Sequence, residues 1–219
     1  MLVAMRMNTD LAPLFLGKPR LTLAVAESLT CGQGQAKIGA VAGASNYFLG
    51  GITAYSLAQK VRHLGVNRAH AQRVNSVSQR VAVEMAEGAG VLLGADLGLA
   101  TTGYAEPSLE HGVAVPMAWW ALCHRRPAGK LVVISGQVEM PGADRVTAQA
   151  RVVTEVLAAL VIYLQEFRRP GRAKIRAEKN PPAKAGWWRQ WGGGLLRDAR
   201  HVIDQEVRFR GRRDPITEQ

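Results

Sequence analysis

Leu21-Thr22-Leu23-Ala24-Val25-Ala26 runs directly into Glu27-Ser28-Leu29-Thr30-Cys31-Gly32-Gln33-Gly34. The first six residues are a short apolar run with Thr22 and Val25 inside it, which predicts a buried strand. Thr30 to Gly34 reads as a turn with two glycines, and Ala36-Lys37-Ile38 predicts the start of a helix. A buried strand feeding a glycine turn and a helix is a building unit of α/β sheets. In open sheets of that class, ligands bind outside the carboxyl ends of the strands. Chemistry is therefore expected at Glu27 to Gly32.

The rest of the chain supports that class. Tyr47 to Tyr55 is rich in aromatic and β-branched residues and predicts a strand over 51–55. Ser78 is a plausible N-cap for a helix whose apolar face is Val81, Met85, Ala89 and Leu92, with Gly94 as its stop. Leu97 to Thr101, Val113 to Leu122 and Leu131 to Glu139 read as strands. A last helix is predicted from Asp144 to Phe167, with Val153, Val156, Leu157, Leu160, Val161 and Leu164 on one face. Strands and helices interleave, so the expected fold is α/β, a sheet covered by helices on its faces in α/β/α layers. Thr101-Thr102-Gly103-Tyr104 is then a second strand end where a ligand could sit.

The chain has 219 residues, 47% hydrophobic and 21% charged. Those values suit one domain with a tail and exclude global disorder, collagen-like and coiled-coil architectures. Cys31 and Cys123 are the only cysteines, too few for a disulfide scaffold and not in a zinc-binding spacing. A reducing, cytoplasmic compartment is expected. The longest uninterrupted apolar run, Val156 to Leu164, falls short of the ~20 residues of a spanning helix. The N-terminus shows no convincing signal-peptide pattern.

The formal net charge of +11 is unevenly placed. Residues 1–167 hold 14 Lys+Arg against 11 Asp+Glu, whereas 168–219 hold 14 against 6. The excess belongs mostly to a tail that begins at Arg168-Arg169-Pro170-Gly171. The expected organisation is an N-terminal segment (1–14), a folded domain (15–167) and a basic tail (168–219). Trp187, Trp188 and Trp191 lie among arginines there, followed by a helical apolar stripe from Leu195 to Val207. Such a segment could dock on the domain or on a second subunit, lie on an anionic membrane, or stack on single-stranded nucleic acid.

Ser28 ends the first strand, where backbone N–H groups of a helix start could hold an oxyanion. It needs a base to act as a nucleophile. It, or Thr30, could equally be only a helix cap. None of the five histidines lies in a triad motif, and G-x-S-x-G is absent. Lys60, in Tyr55-Ser56-Leu57-Ala58-Gln59-Lys60, could serve as that base if its pKa were lowered. The glycine turn is neither G-x-G-x-x-G nor a Walker A loop.

The segment Ala26 to Val66, AESLTCGQGQAKIGAVAGASNYFLGGITAYSLAQKVRHLGV, resembles the signature stretch of the CinA C-terminal domain family. Met85-Ala86-Glu87-Gly88-Ala89, Gly94-Ala95-Asp96-Leu97-Gly98-Leu99-Ala100-Thr101-Thr102-Gly103 and Asp144-Arg145 resemble further family motifs. The resemblance covers roughly residues 15–167. It implies hydrolysis of the amide of nicotinamide mononucleotide to nicotinate mononucleotide and ammonia, with no metal or redox cofactor and with a homo-oligomeric assembly. By position, it implies Ser28 as nucleophile, Lys60 as its base and Tyr55 as the residue orienting that pair. It implies Glu27, Thr30, Cys31, Gly32, Thr102 and Gly103 around the substrate, with Thr30 to Gly32 amides on the oxyanion. It implies Arg145 on the phosphate.

The departures from the pattern fall at the site. Cys31 stands where the family has glycine, and Leu57 where it has asparagine. Gln149 replaces an arginine. The family's glycine-rich loop is here Tyr104-Ala105-Glu106-Pro107-Ser108-Leu109-Glu110-His111-Gly112, shorter and with two acids that would repel a phosphate. Altered substrate choice, or loss of activity with the chain kept as a binding module, are both compatible with these changes.

Overall fold

The computed structural model describes residues 11–169. Strand β1 (Leu23–Glu27) is buried along its whole length. It lies between β2 (Phe48–Thr53) and β3 (Leu97–Tyr104) and runs parallel to both. β4 (Met117–Arg126) and β5 (Lys130–Glu139) extend the sheet antiparallel, giving the order β2-β1-β3-β4-β5.

Alternation along the strands separates large from small side chains. Leu23, Val25, Leu97, Leu99, Trp120 and Leu122 face one way. They pack on Phe15 of helix α1 (Leu11–Leu16) and on Val156, Leu160 and Leu164 of helix α6 (Arg145–Arg168). The opposite face presents Ala24, Ala26, Ala100, Ala121 and Cys123 to helix α5 (Gln79–Leu93), which meets it with Val81, Ala82, Met85, Ala86 and Ala89. Small residues on both sides let α5 lie close to the sheet. Helices α3 (Leu57–Leu64) and α4 (Arg68–Arg73) complete this layer, and α2 (Gln33–Gly39) joins α6 on the other. The three layers are those expected.

Because β1 lies between its two sequence-neighbouring parallel strands, the chain leaves it toward β2 and returns across it to β3. The carboxyl end of β1 is thus a point where strand order reverses, where such sheets place ligands.

Element ends follow local chemistry. The Ser78 side chain accepts from the Val81 N–H and starts α5, and Gly94, at φ 68°, ends it. Leu92 does not join the buried face; it is 46% exposed. α2 starts at Gln33, ahead of the expected Ala36. β2 begins at Phe48 and ends at Thr53 rather than covering 51–55. As an edge strand with alternate exposure, it accommodates Gly50-Gly51. β4 begins at Met117 rather than Val113. Val113 is used in the preceding loop, where it and Ser108 exchange N–H···O bonds of 2.8 and 3.0 Å.

Asp144 caps α6, its Oδ1 accepting from the Thr147 N–H at 2.7 Å. The helix has the length and apolar composition of a membrane span, with a mean hydropathy of 1.5 in its most apolar window. Its apolar face lies on the sheet. Arg168, its last residue, donates to the carbonyls of Leu14, Phe15 and Pro19. Packing thus joins the residues from Leu11 to Arg168. The tryptophan- and arginine-rich stripe anticipated beyond residue 170 lies outside the described residues.

Candidate active site

Alternation at the end of β1 divides two adjacent residues. Glu27 turns toward α2, and Ser28 turns toward α3. Glu27 is fully buried, and its carboxylate takes the N–H groups of Gly32 at 3.0 Å, Gly34 at 3.1 Å and Gln35 at 2.8 Å. It does the work of an N-cap for α2, whose positional N-cap, Gly32, offers no side chain. Neither Ser28 nor Thr30 caps this helix.

Ser28 is anchored by its own N–H, which donates to the Thr101 carbonyl at 3.0 Å. Its Oγ accepts from Lys60 Nζ at 2.9 Å. Lys60 comes from the first turns of α3, whose start is fixed by Ser56 accepting from the Gln59 N–H. The lysine is 2% exposed, and burial lowers its pKa from 10.5 to about 8. A second Nζ–H donates to the Tyr55 carbonyl at 3.0 Å. With one hydrogen directed at that carbonyl, the deprotonated amine is free to turn its lone pair to Ser28 Oγ.

Tyr55 thus orients Lys60 through its backbone, not through its phenol. The phenol accepts from Arg145 Nη2 at 2.7 Å. Arg145, the first residue of α6, also donates through Nη1 to Glu106 Oε2 at 2.9 Å. These two hydrogen bonds, Glu106's first, hold the guanidinium still more firmly in its charged form.

The remaining expected residues are placed as follows. Thr30 Oγ1 pairs with Thr101 Oγ1 at 2.7 Å, inside the protein. Thr102 Oγ1 donates to the Ser76 carbonyl at 2.8 Å and fixes the α4–α5 connection. Gly103 is packed against β4: a Cβ there would lie 2.3 Å from the Met117 carbonyl oxygen. Cys31 is exposed and sits at φ 50°, a left-handed conformation that costs a side-chain-bearing residue about 1–2 kcal/mol. Of the three amides expected to hold an oxyanion, Cys31's donates to the Ser28 carbonyl and Gly32's to Glu27. Thr30's has no protein acceptor among the described residues.

The role of Gln149 and the corner at Asn75-Ser76 were not read from the sequence. Gln149 of α6 donates to the Leu29 carbonyl at 2.7 Å and accepts from Gln33 at 2.8 Å, bracing the serine turn where an arginine was expected. Asn75 and Ser76, at φ 45° and 60°, form a strained corner, and Asn75 donates to the Tyr104 hydroxyl at 3.0 Å. That corner borders a cavity of about 470 Å³ lined by Arg73, Asn75, Tyr104, Glu110, His111 and Met117. No spacing rule links residues 75 and 104.

A serine hydrogen-bonded to a buried lysine of lowered pKa, at the carboxyl end of a strand, defines an α/β protein equipped for nucleophilic chemistry. The CinA C-terminal domain model matches residues 9–164, and the chain belongs to that family. A CinA-like protein from Picosynechococcus sp. is 54% identical over 89 residues, 41% of this chain and 21% of that protein. A CinA-like protein from Chlorobium limicola is 35% identical over 158 residues, 72% and 37% of the two chains. The chain spans only about a fifth to two fifths of these relatives. Among solved structures, a CinA superfamily protein from Enterobacter cloacae superposes with a TM-score of 0.64 at 28% identity, covering 71% of this chain and 88% of that one. The competence damage-inducible protein A of Klebsiella pneumoniae gives 0.61 at 30% identity, covering 72% and 92%.

Proposed function

We propose that the domain hydrolyses a carboxamide through a serine ester, with nicotinamide mononucleotide as the substrate the family resemblance implies. The observation that carries this reading is the 2.9 Å contact between Ser28 Oγ and a buried Lys60. A lysine amine near pKa 8 is neutral in part of the population at physiological pH.

In the first step, neutral Lys60 takes the Ser28 hydroxyl proton as Oγ bonds to the amide carbon. The carbonyl becomes an oxyanion, for which the Thr30 amide, the one of the three without a protein acceptor among the described residues, is the donor we assign. The Lys60 ammonium then returns the proton to the amide nitrogen. The C–N bond breaks, and ammonia leaves with Ser28 esterified. Water, deprotonated by Lys60, attacks the ester, releases the carboxylic acid and regenerates the Ser28 hydroxyl. Glu27 shapes the turn by holding the N–H groups at the start of α2. The free thiols of Cys31 and Cys123 suit a reducing cytoplasm.

Ammonia release from nicotinamide mononucleotide, with Ser28→Ala as control, tests the proposal. A second reading, a binding module without turnover, is favoured by Glu106 already holding Arg145, the residue expected to take phosphate. Ligand binding with no ammonia above the control would select it.

A further inference from the structure

We infer that Glu106 is a built-in competitor for Arg145, so that the site takes carboxamide substrates with an unphosphorylated arm at least as well as their phosphorylated counterparts. The inference builds on the amide-hydrolysis reading and names its substrate class. A guanidinium recognises phosphate best when two of its N–H groups are available together. Here the fork is divided between two protein acceptors, Glu106 Oε2 at 2.9 Å through Nη1 and the Tyr55 hydroxyl at 2.7 Å through Nη2.

The acid is held in place by its loop. Ala105, its neighbour, is 5% exposed and packs with Leu29, Ala118 and Met140. Ser108 and Val113 close the loop with their reciprocal backbone bonds. A phosphate reaching Arg145 must displace the Glu106 carboxylate and then remain beside it. Lys60, buried on Ser28 and the Tyr55 carbonyl, offers no replacement. Arg73, on the wall of the neighbouring cavity, belongs to α4 rather than to this fork.

Both members of the pair are accessible, Arg145 at 45% and Glu106 at 61% of side-chain surface. Such a pair weakens anion binding without abolishing it, and removing the acid is expected to strengthen it about twofold to fivefold.

The test is calorimetric titration of the full chain carrying Ser28→Ala, with and without Glu106→Gln. Nicotinamide mononucleotide, nicotinamide riboside and pyrophosphate serve as probes. With Glu106 present, the riboside binds at least as tightly as the mononucleotide. Glu106→Gln strengthens the mononucleotide and pyrophosphate about twofold to fivefold, and adding Arg145→Gln removes that gain. A gain for pyrophosphate without binding of either pyridine compound supports competition at Arg145 while refuting the pyridine substrate. The inference is overturned if Glu106→Gln leaves pyrophosphate affinity unchanged, if the gain survives Arg145→Gln, or if the mononucleotide already binds far more tightly than the riboside with Glu106 in place.

Discussion

The Tyr55 carbonyl oxygen lies 3.0 Å from Lys60 Nζ, while the Tyr55 phenol is turned away to Arg145. One residue therefore serves both ends of the site, its backbone fixing the base and its side chain the guanidinium. Tyr55→Phe leaves the first contact intact. We expect the pH midpoint of ammonia release to stay near 8, with the loss appearing in KM rather than kcat. A shifted midpoint would place the phenol in proton transfer.

Lys60 must be neutral to accept the serine proton. kcat/KM is therefore expected to rise with pH through a midpoint near 8 and then level. Lys60→Arg keeps the charge but cannot deprotonate, so it should lose about a hundredfold or more, with the limb near pH 8 removed. The check is a pH–rate profile of both proteins.

The same group links stability to pH. Its pKa falls from 10.5 to about 8 on burial, so between those values the unfolded chain binds more protons than the folded one. Unfolding free energy should rise with pH across that window. The penalty for the buried ammonium is present in full below pH 8 and relieved above 10.5. Urea titrations of wild type and Lys60→Met across the window should differ by this slope.

Glu27 holds three N–H groups at the start of α2. Glu27→Gln retains one acceptor oxygen and presents an NH₂ to the other donors. It is expected to destabilise the fold by about 2–3 kcal/mol, seen as a lower urea midpoint.

Gly32 sits at φ 94°, where an alanine Cβ would meet nothing closer than Thr53 Oγ1 at 3.9 Å. Gly32→Ala therefore tests backbone strain without a clash, and about 1–2 kcal/mol of destabilisation is expected. Thermal or urea unfolding measures it.

Much of this fold was legible before the structure. Ser78 and Gly94 bounded α5 by local capping chemistry, and the apolar run of β1 marked a central buried strand. Harder to read were decisions made by distant partners. Thr30 and Thr102 look like ligand-facing hydroxyls, yet Thr101 and the Ser76 carbonyl claim them. Val113 looks like a strand start, but its pairing with Ser108 spends it in the loop. Ser28 and Lys60 were singled out from residue chemistry and resemblance. That their side chains meet depends on α3 crossing the end of β1, which no spacing encodes. Glu106 was legible as an acid in the wrong place for a phosphate, but its pairing with Arg145 was not.

The central claim is that Ser28 is the nucleophile for amide cleavage, and the most direct test is the rate of ammonia release from nicotinamide mononucleotide by wild type and Ser28→Ala. The account predicts release by the wild-type protein and a loss of at least about a thousandfold in Ser28→Ala, with the variant still folded. Equal rates for the two proteins, or no wild-type release above the uncatalysed rate, would contradict it.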